Sequence, residues 1–113
     1  MIMETRELAL DTSQNGLLTV SVSVRGKTYT RHADARHGSS QQLLREITAV
    51  CTDAGISLPS LTGVSVSQTG ESFTGLRVGA VVGQTIGWLL GIPVNGHPAL
   101  DPVELTYKND RWA

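Results

Sequence analysis

The chain has 113 residues, of which 40% are hydrophobic and 17% charged, and its formal net charge is −1. This length limits it to one domain with one modest core. Because there is no excess of basic residues, strong binding of RNA or DNA by the chain alone is disfavoured. The single cysteine, Cys51, excludes an internal disulfide and a multi-cysteine metal site, as expected for a reducing compartment.

The first ten residues give no targeting signal. They include Glu4, Arg6 and Glu7 and lack the apolar stretch of a signal peptide, so neither a leader nor a membrane anchor is predicted. We therefore expect a cytoplasmic protein that does not bind membranes.

Three strands are predicted in the first third of the chain. Residues 7–11 form a short strand, and Asn15-Gly16 is a hairpin signal. Residues 17–24 alternate valine with serine, which is typical of a half-buried strand. After a turn at Arg25 and Gly26, residues 27–32 form the third strand. These strands should form an antiparallel meander.

Helices and strands then alternate. A helix is predicted from Ser39, whose spacing to Gln42 is that of a capping box, to Gly55. Residues 61–67 read as a buried strand, residues 72–91 as a second helix, and residues 92–96 as a final strand, followed by a tail with at most one more extended piece. The order β-β-β-α-β-α-β predicts an α/β domain with a mixed sheet, parallel later strands and two packed helices.

The second predicted helix carries a glycine at every fourth position: Gly75, Gly79, Gly83, Gly87 and Gly91. Ser72 or Thr74 provides a cap, and Gly91 followed by Pro93 ends the helix. Three or four interior glycines disfavour a helix by about 3 kcal/mol. We therefore predict that close approach of another backbone or helix along the row offsets this cost.

The same helix predicts a protein interface. A four-residue step advances about 40° around a helix, so one neighbour is not expected to cover the whole row. The side predicted to face the sheet consists of Gly75, Gly79, Val82, Ile86 and Leu90. The opposite side combines a Trp, an Arg and small residues, a composition typical of interfaces. The predicted partner-binding residues are Arg77, Ala80, Val81, Gln84 and Trp88, bordered by Leu44 and Thr48 of the first helix.

No catalytic or metal site is predicted. His32 and His37 lack the spacing of metal ligands, and no fourth ligand accompanies them. Cys51 reads as a packed thiol. Ser39 and Ser40 read as helix caps, because no base is placed to activate them. We therefore expect neither a cofactor nor a metal.

Four strings resemble one family. They are LALDTS at residues 8–13, GSSQQLL at 38–44, SFTGLRVG at 72–79 and LGIPV at 90–94. They are similar to TsaB, also called YeaZ, whose domains have the actin-like, RNase H-like fold of the sugar kinase and Hsp70 ATPase superfamily. The resemblance implies one TsaB-like domain of the amino-terminal type over residues 1–113, with the family's second domain absent.

The resemblance also implies a function and partners. TsaB supports TsaD in the threonylcarbamoyl (t6A) modification of adenosine 37 of tRNA, and is regarded as non-catalytic. The implied partners are TsaD through the two helices, TsaE through the TsaD complex, and possible self-association as a homodimer.

A vestigial phosphate loop is the last implication of the resemblance. Asp11, Thr12 and Ser13 would be half of the superfamily's phosphate and Mg²⁺ site. Glu71, in a segment where the family has Gly-Pro-Gly, would repel a phosphate at the start of the second helix. Two alternatives stay open: a small Mg-ATP-binding ATPase or kinase-like domain that uses Asp11, and a homodimeric interaction module.

Overall fold

A computed structural model describes residues 4–34 and 39–107 of the chain. Its main elements are β1 (Arg6–Asp11), β2 (Leu17–Val24), β3 (Lys27–Asp34), α1 (Ser39–Asp53), β4 (Gly63–Val66), β5 (Thr69–Gly70), α2 (Phe73–Leu90) and β6 (Thr106–Tyr107). The predicted α/β fold with a mixed sheet and two helices is confirmed.

Four strands form the main sheet in the order β3-β2-β1-β4. The first three strands are an antiparallel meander, and β4 lies parallel to β1. Arg25 and Gly26 join β2 to β3 with φ of 54° and 75°. Positive φ at both positions is what a tight two-residue hairpin needs, because its twist then matches that of the strands.

One face of the sheet carries the core. Val20, Val22 and Val24 are buried, whereas the intervening Ser21 and Ser23 are not. The buried cluster joins these valines to residues of both helices, so α1 and α2 cover the same face of the sheet. The other face consists mainly of short polar side chains and stays open, as antiparallel sheets commonly allow.

Two ion pairs fasten α1 to the edge strand β3. The Arg31 guanidinium contacts Glu46 at 2.9 Å and Asp53 at 3.0 Å. Hydrogen bonds to the carboxylates of Asp53 and Glu46 raise the pKa of Arg31 above its usual value. Residues 35–38, which connect β3 to α1 and include His37, lie outside the described residues. The side chains of Ser39 and Ser40, which were predicted to be helix caps, lie outside them as well.

Local signals define both ends of α2. Ser72 accepts a hydrogen bond from the Gly75 N–H through its side chain, and Gly91 adopts a left-handed conformation with φ of 68°. Its N–H donates to the carbonyls of Gly87 and Trp88, which closes the last turn.

The final strand predicted at residues 92–96 is wrong in its extent. Only Val94 forms a bridge, with Val64 of β4, and the chain turns away at Asn95 with φ of 52°. The Asn95 side chain then replaces a strand: Oδ1 accepts from the Val66 N–H at 2.8 Å, and Nδ2 donates to the Val66 carbonyl at 3.3 Å. An amide side chain thus completes the pairing that a fifth strand would make.

A second, two-stranded sheet lies beside the first. The parallel pair β5 and β6 joins residues that the sequence placed in a loop and in the tail, where one extended piece was foreseen. Residues 108–113 of that tail lie outside the described residues. Within the described part of the chain, no helix combines the length and apolarity needed to span a membrane.

Candidate partner-binding surface

The glycine row of α2 packs against the chain's own sheet. A Cβ added at Gly75 would overlap the Thr12 carbonyl, and one at Gly79 would overlap Thr12 Oγ1. Further along α2, a Cβ at Gly83 would overlap Val66 Cγ1, and one at Gly87 would lie 2.5 Å from Val94 Cγ2. From Gly75 to Gly87 the row meets in turn Thr12 at the end of β1, Val66 of β4, and Val94 with Ala99, whereas Gly91 has no neighbour within 4 Å. Different segments thus cover the row, in agreement with the expectation that one neighbour does not cover all of it.

The side of α2 that faces the sheet differs from the predicted side by a rotation of about 60° about the helix axis. The buried residues of the helix are Leu76, Gly79, Ala80, Gly83, Ile86 and Gly87. Val82 and Leu90, which were predicted to face the sheet, are only partly buried. The predicted orientation relied on the large apolar residues of α2. Glycines have no side chain to contribute to that pattern, although they form the buried side.

Five of the seven predicted partner-binding residues are exposed. Val81 is 63% and Trp88 60% exposed, and Arg77 is exposed beside them on α2. On α1, Leu44 is 49% exposed and Thr48 lies one turn further along. Large apolar side chains thus face solvent on both helices, which marks a candidate interaction surface.

Ala80 and Gln84 do not belong to that surface. Ala80 is only 6% exposed, and the Gln84 amide donates to the Asp101 carbonyl at 2.7 Å. These two residues lie on one flank of α2 because they are four apart in a helix. Gln84 is thus half-buried by the segment that follows Val94, and the expected exposure of Ala80 is wrong, whereas its role in partner binding stays a prediction.

The structure adds two apolar residues that sequence reasoning missed. Phe73 is 51% and Leu89 67% exposed. The Arg77 guanidinium lies 5.5 Å from the centre of the Phe73 ring, a distance compatible with a cation–π contact. The exposed stripe of α2 is therefore defined as Phe73, Arg77, Val81, Trp88 and Leu89. Correct rotation of the helix would have identified Leu89.

Two concave features lie along α2. A shallow cleft of about 210 Å³ is lined by Arg77, Val78, Val81 and Val82. A wider groove of about 460 Å³ lies at the carboxyl end of the helix, between Trp88 and the segment around Pro98. Both give the surface relief that a partner's side chains would fill.

The predicted phosphate loop is occupied by contacts within the chain. Asp11 Oδ1 accepts from the Ser13 N–H at 3.0 Å and from Ser13 Oγ at 2.6 Å. The Ser13 carbonyl accepts from the N–H groups of Glu71 and Ser72. Thr12 is buried against the glycine row, and its N–H donates to Ser67 Oγ. These contacts favour the interpretation in which Asp11 stabilises a turn.

Two further candidate groups, His32 and Cys51, lie within the described residues. His32 Nδ1 lies 3.0 Å from Thr19 Oγ1 on the open face of the sheet. Burial raises the pKa of the Cys51 thiol, which disfavours the reactive thiolate. In residues 4–34 and 39–107, no three His, Cys, Asp or Glu side chains are placed to hold a metal.

Comparison with known proteins identifies relatives of this chain. A family model described as TsaD: tRNA N6-adenosine threonylcarbamoyltransferase matches residues 31–101. No curated protein sequence matches the chain significantly. The matched residues begin within β3 and end after α2, and therefore include both helices.

Solved structures agree with the family match. YeaZ from Pseudomonas aeruginosa is 26% identical, with a TM-score of 0.73 over 80% of this chain. A second structure, of an uncharacterized protein with similarity to peptidase YEAZ from Pseudomonas aeruginosa, is also 26% identical, with a TM-score of 0.74 over 80% of this chain. The chain spans 42% and 41% of the length of these two proteins.

Proposed function

Because this chain belongs to the family described as TsaD: tRNA N6-adenosine threonylcarbamoyltransferase, we propose that it takes part in the threonylcarbamoyl (t6A) modification of tRNA. Within that process it acts as a non-catalytic, TsaB-like subunit that binds TsaD through α1 and α2. It holds TsaD in an active arrangement and helps to form a surface for TsaE. In this proposal one TsaB-like domain is sufficient for binding.

The exposed stripe of α2 is the observation that carries the proposal. Val81, Trp88 and Leu89 are each at least 60% exposed, although the opposite side of the same helix is closely packed on the sheet. Burial of such side chains contributes roughly 25 cal/mol per Å² of apolar area removed from water. A helix of the partner laid along the stripe would recover this free energy, and the Trp would be its main anchor.

The non-catalytic part of the proposal is supported by the contacts of Asp11. One of its carboxylate oxygens is already engaged by Ser13, and the loop is closed by the segment that begins α2. A Mg²⁺ ion is usually bound by one or two carboxylates together with water and substrate phosphates. Here the carboxylate that would serve this purpose has a structural role in the turn.

A binding titration with purified TsaD tests the proposed interface. We expect Trp88→Asp and Val81→Asp to weaken the complex at least about 30-fold each, because each places a charge at the centre of an apolar contact. Ser65→Asp is the matched control: it adds the same charge at an exposed position on the open face of the sheet. Circular dichroism checks that all three variants are folded.

Equal affinity of the three variants would show that TsaD uses another surface, and absence of any complex with the unmodified chain would refute the proposed function.

A separate assay distinguishes the ATPase alternative. We expect purified chain with Mg-ATP to release no more phosphate than the Asp11→Ala variant, because Asp11 acts in a turn. Turnover that is abolished by Asp11→Ala would instead establish the alternative in which Asp11 serves a nucleotide site.

A further inference from the structure

Residues 98–107, here called the strap, run along one flank of α2 in the direction opposite to the helix. Ala99 lies against Gly87 near the carboxyl end of α2. Asp101 accepts the hydrogen bond of Gln84 further back, and Thr106 and Tyr107 pair with β5, just before the helix begins. Between these contacts the strap runs past the turn of α2 that precedes Gln84, which contains the buried Ala80.

Polar contacts hold most of the strap in place. The Gln84 and Gln68 amides donate to the carbonyls of Asp101 and Glu104 at 2.7 and 3.1 Å. The Thr106 N–H donates to the Gln68 carbonyl at 2.6 Å, within a ladder of two residue pairs. Each hydrogen bond of this kind contributes only modestly to stability, because its groups bond to water once the segment lifts away.

The strap buries little apolar surface. None of residues 95–106 is buried, and Ala99 and Val103 pack only partly against the core. A cavity of about 250 Å³ separates its central part from Val94 and Asn95. Segments with few buried apolar contacts open locally at a much lower free energy than global unfolding.

From these contacts we infer that the strap is a displaceable cover, which hides the Ala80 flank of α2 and enlarges the partner-binding surface when it opens. The part of α2 next to the strap carries the small residues Ala80 and Gly87, so its exposure would admit a closely packed helix. The part of this inference that concerns partner binding rests on the proposed function; the opening itself does not.

Thiol labelling measures the opening without any partner. In an Ala80→Cys variant, the introduced thiol is reached by iodoacetamide only when the strap lifts, whereas the native Cys51, which is 2% exposed, reports opening of the core. Peptide mapping by mass spectrometry separates the two sites. We expect the introduced thiol to react at least roughly tenfold faster than Cys51.

Two further variants test which side chains hold the strap in place. Adding Gln84→Ala or Gln68→Ala should speed labelling at position 80 several-fold while leaving Cys51 unchanged. Gln41→Ala is the matched control, because Gln41 is an exposed glutamine on α1. Labelling at position 80 no faster than at Cys51, or no acceleration by either strap variant, would overturn the inference.

Hydrogen exchange tests the same claim in the unmodified chain. The Thr106 amide should exchange roughly a hundredfold or more faster than the paired amides of β1 and β2, because it needs only local opening. Exchange of Thr106 as slow as that of these strands would contradict a displaceable strap, even if Ala80→Cys failed to fold.

The consequence for binding is tested with TsaD. If the strap masks part of the interface, the apparent affinity for TsaD is lowered because only the fraction of molecules with an open strap binds fully. Gln68→Ala raises this fraction, so it should tighten binding by at most the same factor. Unchanged or weaker binding by Gln68→Ala, with faster labelling at position 80, would show that the strap opens but masks nothing.

Discussion

At the residue scale, the chain depends most on glycines that have no space for a side chain. Gly83 lies on the buried side of α2, where an added Cβ would overlap Cγ1 of Val66. Val66 is buried and β-branched, so its side chain has few alternative rotamers. A glycine that is costly for the isolated helix is thus required by the packed structure.

Gly83→Ala should therefore lower the free energy of unfolding by up to about 2 kcal/mol. Overpacking costs about 1–3 kcal/mol, and the better helix propensity of alanine returns only about 1 kcal/mol. Urea denaturation of the purified chain measures the difference, and Thr85→Ala, at an exposed position of the same helix, should stay within about 0.5 kcal/mol. A Gly83→Ala variant that is more stable than the unmodified chain would disprove the close packing.

At the scale of elements, the edge of β4 is closed by a side chain instead of a strand. The Asn95 side chain exchanges two hydrogen bonds with the Val66 backbone, and the Asn95 N–H donates to the Val64 carbonyl at 2.8 Å. This arrangement leaves no unpaired group at Val66 for another chain to join, which is how native sheets protect their edges.

Asn95→Gly should lower the free energy of unfolding by about 1–3 kcal/mol, because it leaves buried backbone groups of Val66 without partners. Glycine is chosen because it accepts the positive φ at this position, so backbone strain does not contribute. Asn15→Gly, in the exposed turn before β2, is the matched control and should change stability little. Equal stability of both variants in urea would remove the proposed role of the Asn95 amide.

The elements differ in how well their sequences predict them. Alternating valines and serines identify β2, and Ser72 and Gly91 mark both ends of α2, because these signals are local. The rotation of α2 was missed since glycines carry no hydrophobic signal while forming the buried seam. The short pairing of β5 with β6 depends on residues more than 30 positions apart, and two-residue strands have no recognisable periodicity.

At the scale of the whole molecule, both helices lie on one face of the sheet and present their outer sides together. Leu44 on α1 and the exposed stripe of α2 belong to that layer, whereas the opposite face of the sheet is mainly polar. Arg77, Val81 and Trp88 are exposed as the sequence predicted, because they lie away from the glycine seam, whereas their role in an interface stays a prediction. Ala80 was wrongly predicted to be exposed, because the position of the strap beside α2 depends on tertiary packing that local sequence patterns do not show.

The solution mass of the purified chain, measured with and without TsaD by light scattering after size-exclusion chromatography, tests the proposed function most directly. The account predicts that mixing yields a single species with the mass of TsaD plus one 12.0 kDa chain, and that Trp88→Asp abolishes it. Two separate species of unchanged mass after mixing, with the chain alone remaining a monomer or a stable homodimer, would contradict it.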